Sequence, residues 1–157
     1  DARGVAQVHV AAQRAVIEHG ARVDATPSAA LDKRVAYWRE AIEYAEPQVL
    51  VAHVDGDLVG FVGFDRSRDP RTPPTLGEIW SLHVQERHWG QGHARALWAA
   101  AREGLIEEGC TEVSVWVQAR NERALRFFEM AGFRREAGVS REGAAKLEEL
   151  RLRRALA

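Results

Sequence analysis

Residues 87 to 94 read Arg-His-Trp-Gly-Gln-Gly-His-Ala, so two glycines, Gly90 and Gly92, stand where an alanine-rich helix should begin. A glycine inside a helix costs about 1 kcal/mol relative to alanine, and bare backbone at this point needs a reason. Anion chemistry supplies one. The first backbone N–H groups of a helix have no internal partner, and the helix dipole adds partial positive charge there. Glycines let a phosphate approach those amides without a side chain in the way. Arg87, His88 and Arg95 lie close by in the sequence and could add charge.

Several devices share this outline. A P-loop ends in Gly-Lys-Ser/Thr, and no lysine is present here. A dinucleotide turn needs a third small residue where Arg95 stands. It also needs an acid closing the next strand, which ends at Val117-Gln118 and has Glu112 at its beginning instead. A tight strand-to-helix turn that binds nothing is the plain alternative, and the glycine pair alone does not separate it from a binding turn.

The flanking elements give the turn its setting. Leu76–Val84 is an apolar, β-rich run that leads into it. After it, Ala94, Leu97, Trp98, Ala101 and Leu105 recur on one helical face, and Gly109 provides a stop. Glu112–Val117 is the next strand, so residues 76–117 form a β-α-β unit with a right-handed crossover between parallel strands. Asn121 is a natural N-cap for a helix that reaches Met130, Gly132 ends that helix, and 133–138 reads as a short strand. Upstream, Gln48–Val54 and Leu58–Phe64 flank Asp55-Gly56-Asp57, a hairpin signal. Residues 65–75 are polar and proline-rich, a loop. Helical spacing of Val5, Val8, Ala12 and Val16, and of Val35, Trp38 and Ile42, predicts two N-terminal helices that end near Gly20 and Pro47. The last segment has helix-favouring composition, yet Leu150 and Leu152 alternate with Glu149, Arg151 and Arg153, so its residues leave helix and strand equally open. The order of elements predicts an α/β (α+β) chain folded as one layered domain over residues 1–157.

With 157 residues, 46% of them apolar and 29% charged, the chain has the composition of a globular protein with a sizeable core. A net charge of −1 argues against a nucleic-acid partner. No apolar stretch approaches membrane length and no secretory leader reads at the start, so no membrane partner is expected. The single cysteine, Cys110, excludes an internal disulfide, fits a reducing, cytoplasmic setting, and is expected to pack as a small apolar residue. The six histidines show no metal-like grouping, and no metal is expected.

Arg87-x-x-Gly90-x-Gly92 resembles the pyrophosphate turn of the GNAT superfamily of N-acetyltransferases, whose pattern is Gln/Arg-x-x-Gly-x-Gly/Ala. Asn121-Glu-Arg-Ala-Leu-Arg-Phe-Phe-Glu-Met-Ala-Gly-Phe133 is similar to that family's second signature, Asn-x-x-Ala-x-x-Phe-Tyr-x-x-x-Gly-Phe. The two motifs also have the family's separation. The resemblance runs from about Gln48 to Phe133, is weaker in the N-terminal helices and slight beyond Gly138. It implies a mostly antiparallel mixed sheet whose two parallel strands, here Leu76–Val84 and Glu112–Val117, splay apart around the pantetheine arm of acetyl-CoA. It resolves the C-terminal segment as a strand. It also implies a strand ahead of the first helix, which this sequence lacks or keeps very short.

Carried over residue by residue, the resemblance assigns the backbone of Leu82, His83 and Val84 to pantetheine. The turn of Arg87, His88, Trp89, Gly90, Gln91, Gly92, His93 and Ala94 goes to the diphosphate. The Asn121 side chain goes to the pantetheine arm, with Ala124, Phe127 and Phe128 lining it. Glu78, six residues before Val84, falls where some family members carry a glutamate base, and His83 is the second candidate, although strand alternation points it away from the acceptor. The family's usual tyrosine acid is replaced by Phe128, which has no proton to give. Water or Ser81 then serves the leaving thiolate. The implied reaction is acetyl transfer from acetyl-CoA to a small amine, an amino acid or a peptide, by a chain expected to form a homodimer. A non-catalytic acyl-CoA-binding module is the alternative that Phe128 raises and Glu78 lowers. Trp80 and Trp116 could line the acceptor cleft or the core, Trp98 is expected in the core, and Trp89 over the cofactor or on the surface. Arg151, Arg153 and Arg154 read as a solvated strand edge.

Overall fold

The computed structural model describes residues 4–5, 35–37, 39–40, 47–143 and 146–157. The short stretches before residue 47 are helical, in keeping with the expected N-terminal helices, and their Val5 and Val35 are buried. Most of those helices, with Trp38, His9 and His19, lie outside the described residues, as do residues 20–34 and 144–145.

Six strands form one sheet: β1 (Gln48–Val54), β2 (Asp57–Arg66), β3 (Leu76–Val84), β4 (Glu112–Gln118), β5 (Arg134–Glu142) and β6 (Glu148–Ala155). Their order is β1-β2-β3-β4-β6-β5, and every pair is antiparallel except β3–β4. Between β1 and β2, Asp55 and Gly56 both take positive φ, 50° and 85°, as a two-residue hairpin turn matched to strand twist requires. The C-terminal segment is a strand. It lies between β4 and β5, so its arginines do not form the solvated edge that the sequence suggested. Arg151 is only 18% exposed and is tied to Glu136 and Asp69. The reason is topological: a strand in the middle of a sheet has one face per side chain to fill. Leu150 and Leu152 take the core side and Arg151 and Arg153 the other.

Among the described residues, two helices cover one face, α1 (His93–Glu107) and α2 (Glu122–Met130). The apolar stripe of α1, Leu97, Trp98, Ala101 and Leu105, is buried against Val62, Phe64 and Ile79 of the sheet. Burial of a Leu-sized side chain stabilises by about 1.5–3 kcal/mol, so this stripe holds the helix in place. Close approach is possible because small residues alternate with large ones. A Cβ on Gly104 would sit 2.7 Å from the Phe64 ring, and one on Gly77 would sit 2.7 Å from Leu105. At the far end of α2, Gly132 takes φ 94°. Phe133 N–H then bonds back to Phe128 O at 2.9 Å, Gly132 N–H to Glu129 O at 3.0 Å, and the Phe128 and Phe133 rings meet at 5.2 Å. Cys110 is buried in the same core, and burial pushes its thiol pKa up, which keeps it an inert packing residue.

Beyond the C-terminal end of α1, Glu108 accepts a hydrogen bond from the Gln48 side chain, while its second oxygen is buried without a partner. Burial, and next the field of Asp65, raise its pKa above 4.5. A carboxyl whose folded pKa is raised stabilises the fold when protonated, and that contribution is lost as pH rises through the folded value. Glu108→Gln should therefore melt at a higher temperature than the parent at pH 7, and the gap should close below pH 4.5. Gly104→Val, which drives a side chain into the Phe64 ring, should lose about 1–3 kcal/mol in urea unfolding.

Candidate active site

The parallel pair β3–β4 is bonded only from Leu76↔Glu112 to Ile79↔Val115. Both strands continue, β3 to Val84 and β4 to Gln118, so they part beyond Ile79 and leave a gap. On the outer side, β3 stays paired to β2 as far as Val84, with one break. Gly63 faces Ser81 and Phe64 faces Ile79, which makes Trp80 a bulge. Gln85 N–H donates to Val59 O at 2.8 Å. Alternation along an antiparallel ladder then turns the backbone of Ser81 and His83 toward β2 and that of Leu82 and Val84 into the gap. The Val84 carbonyl is already taken by the indole N–H of Trp89 at 2.9 Å. What remains facing the gap is the Leu82 N–H and C=O and the Val84 N–H.

The bulge also resets which side chains share a face. Ile79, Leu82 and Val84 pack on the α1 side. Glu78, Trp80 and His83 therefore all point to the opposite side, where the His83 ring lies 5.5 Å from Phe61. Plain alternation would separate Glu78 from His83. One extra residue in the strand brings them together.

At the mouth of the gap, residues Glu86–His88 form a single 3-10 turn. His88 and Trp89 spend their amides on Gln85 O and Glu86 O. The amides from Gly90 follow, ahead of the first bond of α1, from Ala96 N–H to Gly92 O at 3.0 Å. Gly92 is the N-cap of α1 at φ 85°, ψ 4°, without a side-chain cap, and Gly90 has φ 74°. A Cβ at either position would meet nothing within 4 Å, so backbone conformation and ligand access are the reasons for glycine here. Gln91 lies between two histidines, with its Oε1 3.4 Å from His88 Nδ1 and 3.2 Å from His93 Nε2. Trp89 is half-buried, and the Arg123 guanidinium stacks on it at 3.9 Å.

Across the gap, Asn121 caps α2 by accepting the Ala124 N–H at 3.1 Å. Phe128 is buried between Phe127 and Phe133, and Ala124 and Phe127 pack at the edge of the same cluster. Glu78 is 1% exposed, and each of its oxygens accepts one hydrogen bond. Its Oε1 accepts the Arg68 backbone N–H at 3.0 Å and its Oε2 the Arg68 guanidinium at 2.9 Å. The loop at 65–75 is thereby strapped over the face of the sheet. Its next residue, Asp69, accepts the Trp116 indole N–H at 3.0 Å and pairs with Arg151 at 3.3 Å. The hydrogen bond with Glu136 holds the Arg151 pKa up, so this guanidinium is a fixed charge. Sequence reasoning read that loop as polar punctuation and missed Arg68 and Asp69. The one available signal was two charged residues between prolines and strand.

A gap between parting parallel strands that opens onto uncapped amides at a helix start is the arrangement implied by the resemblance of the two sequence motifs. The acetyltransferase (GNAT) family model matches residues 19–133, and the chain belongs to that family. It is 37% identical over 101 residues to a mycothiol acetyltransferase of Sanguibacter keddieii, which covers 60% of this chain and 32% of the relative. The chain thus spans about a third of the length of that curated relative. It is 31% identical to an uncharacterized N-acetyltransferase of Archaeoglobus fulgidus over 113 residues, 66% of this chain and 72% of the relative. In fold it resembles a putative acetyltransferase of Salmonella typhimurium solved with acetyl-CoA, at TM-score 0.72 and 20% identity, with 100% of this chain and 89% of the other covered. It is also similar to a Thermoplasma acidophilum N-acetyltransferase solved with coenzyme A, at TM-score 0.72 and 13% identity, covering 96% and 91% of the two chains.

The Asn121 cap is separable from any ligand contact. Asn121→Ala should cost about 0.5–2 kcal/mol in thermal unfolding, while Asn121→Ser, which still caps, should cost little.

Proposed function

We propose that the protein transfers an acetyl group from acetyl-CoA to a primary amine by direct attack on the thioester. The carrying observation is the unpaired stretch of β3 and β4 beyond Ile79↔Val115, ending at the glycine turn. Pantetheine carries two amides and is extended, so it can lie in the gap as an added strand against Leu82 and Val84. The diphosphate then meets the amides from Gly90 to the first turn of α1, with Arg87 and His93 nearby. The Asn121 carboxamide, Ala124 and Phe127 form the wall facing the arm. As the amine attacks, charge grows on the carbonyl oxygen, and the Leu82 N–H is directed at the gap to receive it.

An alkylammonium has a pKa of about 10.4 and must lose its proton to react. Glu78 is the first candidate to take it. Each of its oxygens has one donor and each can accept two, which leaves a site free for an amine or a bridging water. His83, on the same face, is the second. Phe128 offers no proton, so the departing thiolate draws one from water or from Ser81. A thiolate of pKa near 8.5 leaves without assistance at a lower rate, and turnover should be modest. In this reading the acceptor is a small amine or a peptide, and the enzyme is a cytoplasmic homodimer.

Phe128 also supports a second reading, a module that holds acyl-CoA without turnover. Calorimetry with acetyl-CoA, joined to thiol release over a panel of amines, separates the two. The enzyme reading expects both binding and thiol release. Glu78→Gln should lower kcat by about 10² to 10⁴ while the acetyl-CoA affinity stays close to the parent value. Normal turnover by Glu78→Gln would move the base role to His83.

A further inference from the structure

The face of the sheet away from α1 and α2 carries two tryptophans at the point where the gap begins. Trp80 on β3 and Trp116 on β4 are the first residues past the last bonded pair. Neither indole N–H is left for a ligand. Trp80 donates to Arg66 O at 3.2 Å, and Trp116 donates to the Asp69 carboxylate at 3.0 Å. Each ring is instead covered by a guanidinium, Arg68 at 4.0 Å over Trp80 and Arg141 at 4.2 Å over Trp116. Two arginine–indole stacks therefore stand on the two lips of the gap, one on each.

The ion pairs made by the two stacking arginines share one polarity. Arg68 is 45% exposed while its partner Glu78 is 2% exposed. Arg141 is 43% exposed, and its partners Asp69 and Glu149 are 11% and 15% exposed. The carboxylates lie inside, and the guanidinium edges face out. Each arginine has five N–H donors, and the inner carboxylates occupy only some of them. Stacking on the indole fixes the guanidinium plane, so the outward donors are already oriented and little rotamer freedom remains to be lost. A molecule that arrives at the gap from this side meets cationic donors first. A second cation would be repelled there, and a carboxylate would be received by charge-assisted hydrogen bonds. Around the two tryptophans Glu78, Asp69, Glu149 and Glu136 pair with Arg68, Arg141 and Arg151, and of these arginines Arg68 and Arg141 are the ones that reach furthest into solvent.

We propose that the amine acceptor carries a carboxylate, as a free amino acid does, and that Arg68 and Arg141 hold that carboxylate while the amine reaches the gap. The proposal rests on the acetyltransferase reading above and narrows it, against polyamines and uncharged amino sugars. Its test uses the full chain with acetyl-CoA. The common L-amino acids, their methyl esters and their decarboxylated amines are compared by thiol release. At least one acid should exceed its ester and its amine by roughly 10- to 100-fold in kcat/KM, the value of a charge-assisted hydrogen bond to a buried partner. Arg141→Gln should collapse that acid-to-ester ratio through a higher KM for the acid, and Arg141→Lys should restore part of it. A purely structural arginine would lower acid and ester together and leave the ratio intact, which would overturn the assignment. Esters or plain amines that match the acids in the parent protein would overturn it as well. In either case acetyl-CoA binding by calorimetry leaves the acetyltransferase reading standing. A protein that binds no acetyl-CoA would remove both.

Discussion

The architecture turns on one unmet backbone requirement. Main-chain N–H and C=O groups must be satisfied, and a parallel pair of strands ordinarily satisfies them along its whole length. Here β3 and β4 stop bonding after four residue pairs although both strands run on. Each is committed elsewhere, β3 to β2 and β4 to β6, the latter in register from Glu112 to Gln118. The sheet is in effect two antiparallel halves welded at one end. Past Ile79 the backbone of Leu82 and the N–H of Val84 point away from β2 with no strand opposite them, so they stay available to a chain-like ligand.

The helices keep the two halves at a fixed separation. The stripe of α1 is seated on β2 and β3, and Leu125 and Phe128 of α2 join the same apolar cluster as Val115 and Val117 of β4. That cluster runs beneath the gap and makes its floor. Across the top, Trp89 is bonded to the end of β3 and stacked by Arg123 from α2. A cation–π contact of this kind is worth about 0.5–1 kcal/mol at an exposed site, too little to hold the halves together alone. It is enough to bias where the turn sits relative to α2. The glycine turn therefore depends on packing from both sides of the gap, as a ligand bridging both sides would require.

Much of this was legible because it is local chemistry. The Asp55-Gly56 hairpin, the apolar stripe of α1, the Asn121 cap and the Gly132 stop each follow from a few adjacent residues, and each appears where it was expected. The bulge at Trp80 could not be read. No residue type demands it, yet it changes the parity of everything after it and puts His83 on the face of Glu78. The insertion of β6 between β4 and β5 was hidden for a different reason. Chain order favours neighbours in sequence, and nothing in Arg151 or Arg153 reports that carboxylates from Asp69 and Glu136 await them. Trp80 and Trp116 were ambiguous because a strand tryptophan suits either face. Only the partners of their indole N–H groups, Arg66 and Asp69, decide the matter, and both belong to β2 or the loop that follows it.

That loop links assembly to specificity. Arg68 and Asp69 are neighbours of opposite charge, and each binds across a different strand of the fork, Arg68 to Glu78 on β3 and Asp69 to Trp116 on β4. A pair of this kind exposed on a surface would contribute little to stability. Here Glu78 is buried, so removal of Arg68 would leave an uncompensated charge, and Asp69 adds an indole N–H and two arginines on the other strand. The same constraint sets the polarity of the face. Glu78 and Asp69 lie inside, tied to the loop and to Trp116, and the guanidiniums of Arg68 and Arg141 form the more exposed layer. The charge on this face of the sheet is thus a by-product of how the loop is tied down. An acid at position 68 could neither anchor to Glu78 nor offer an outward cation, so the loop's position and the charge at the gap must change together.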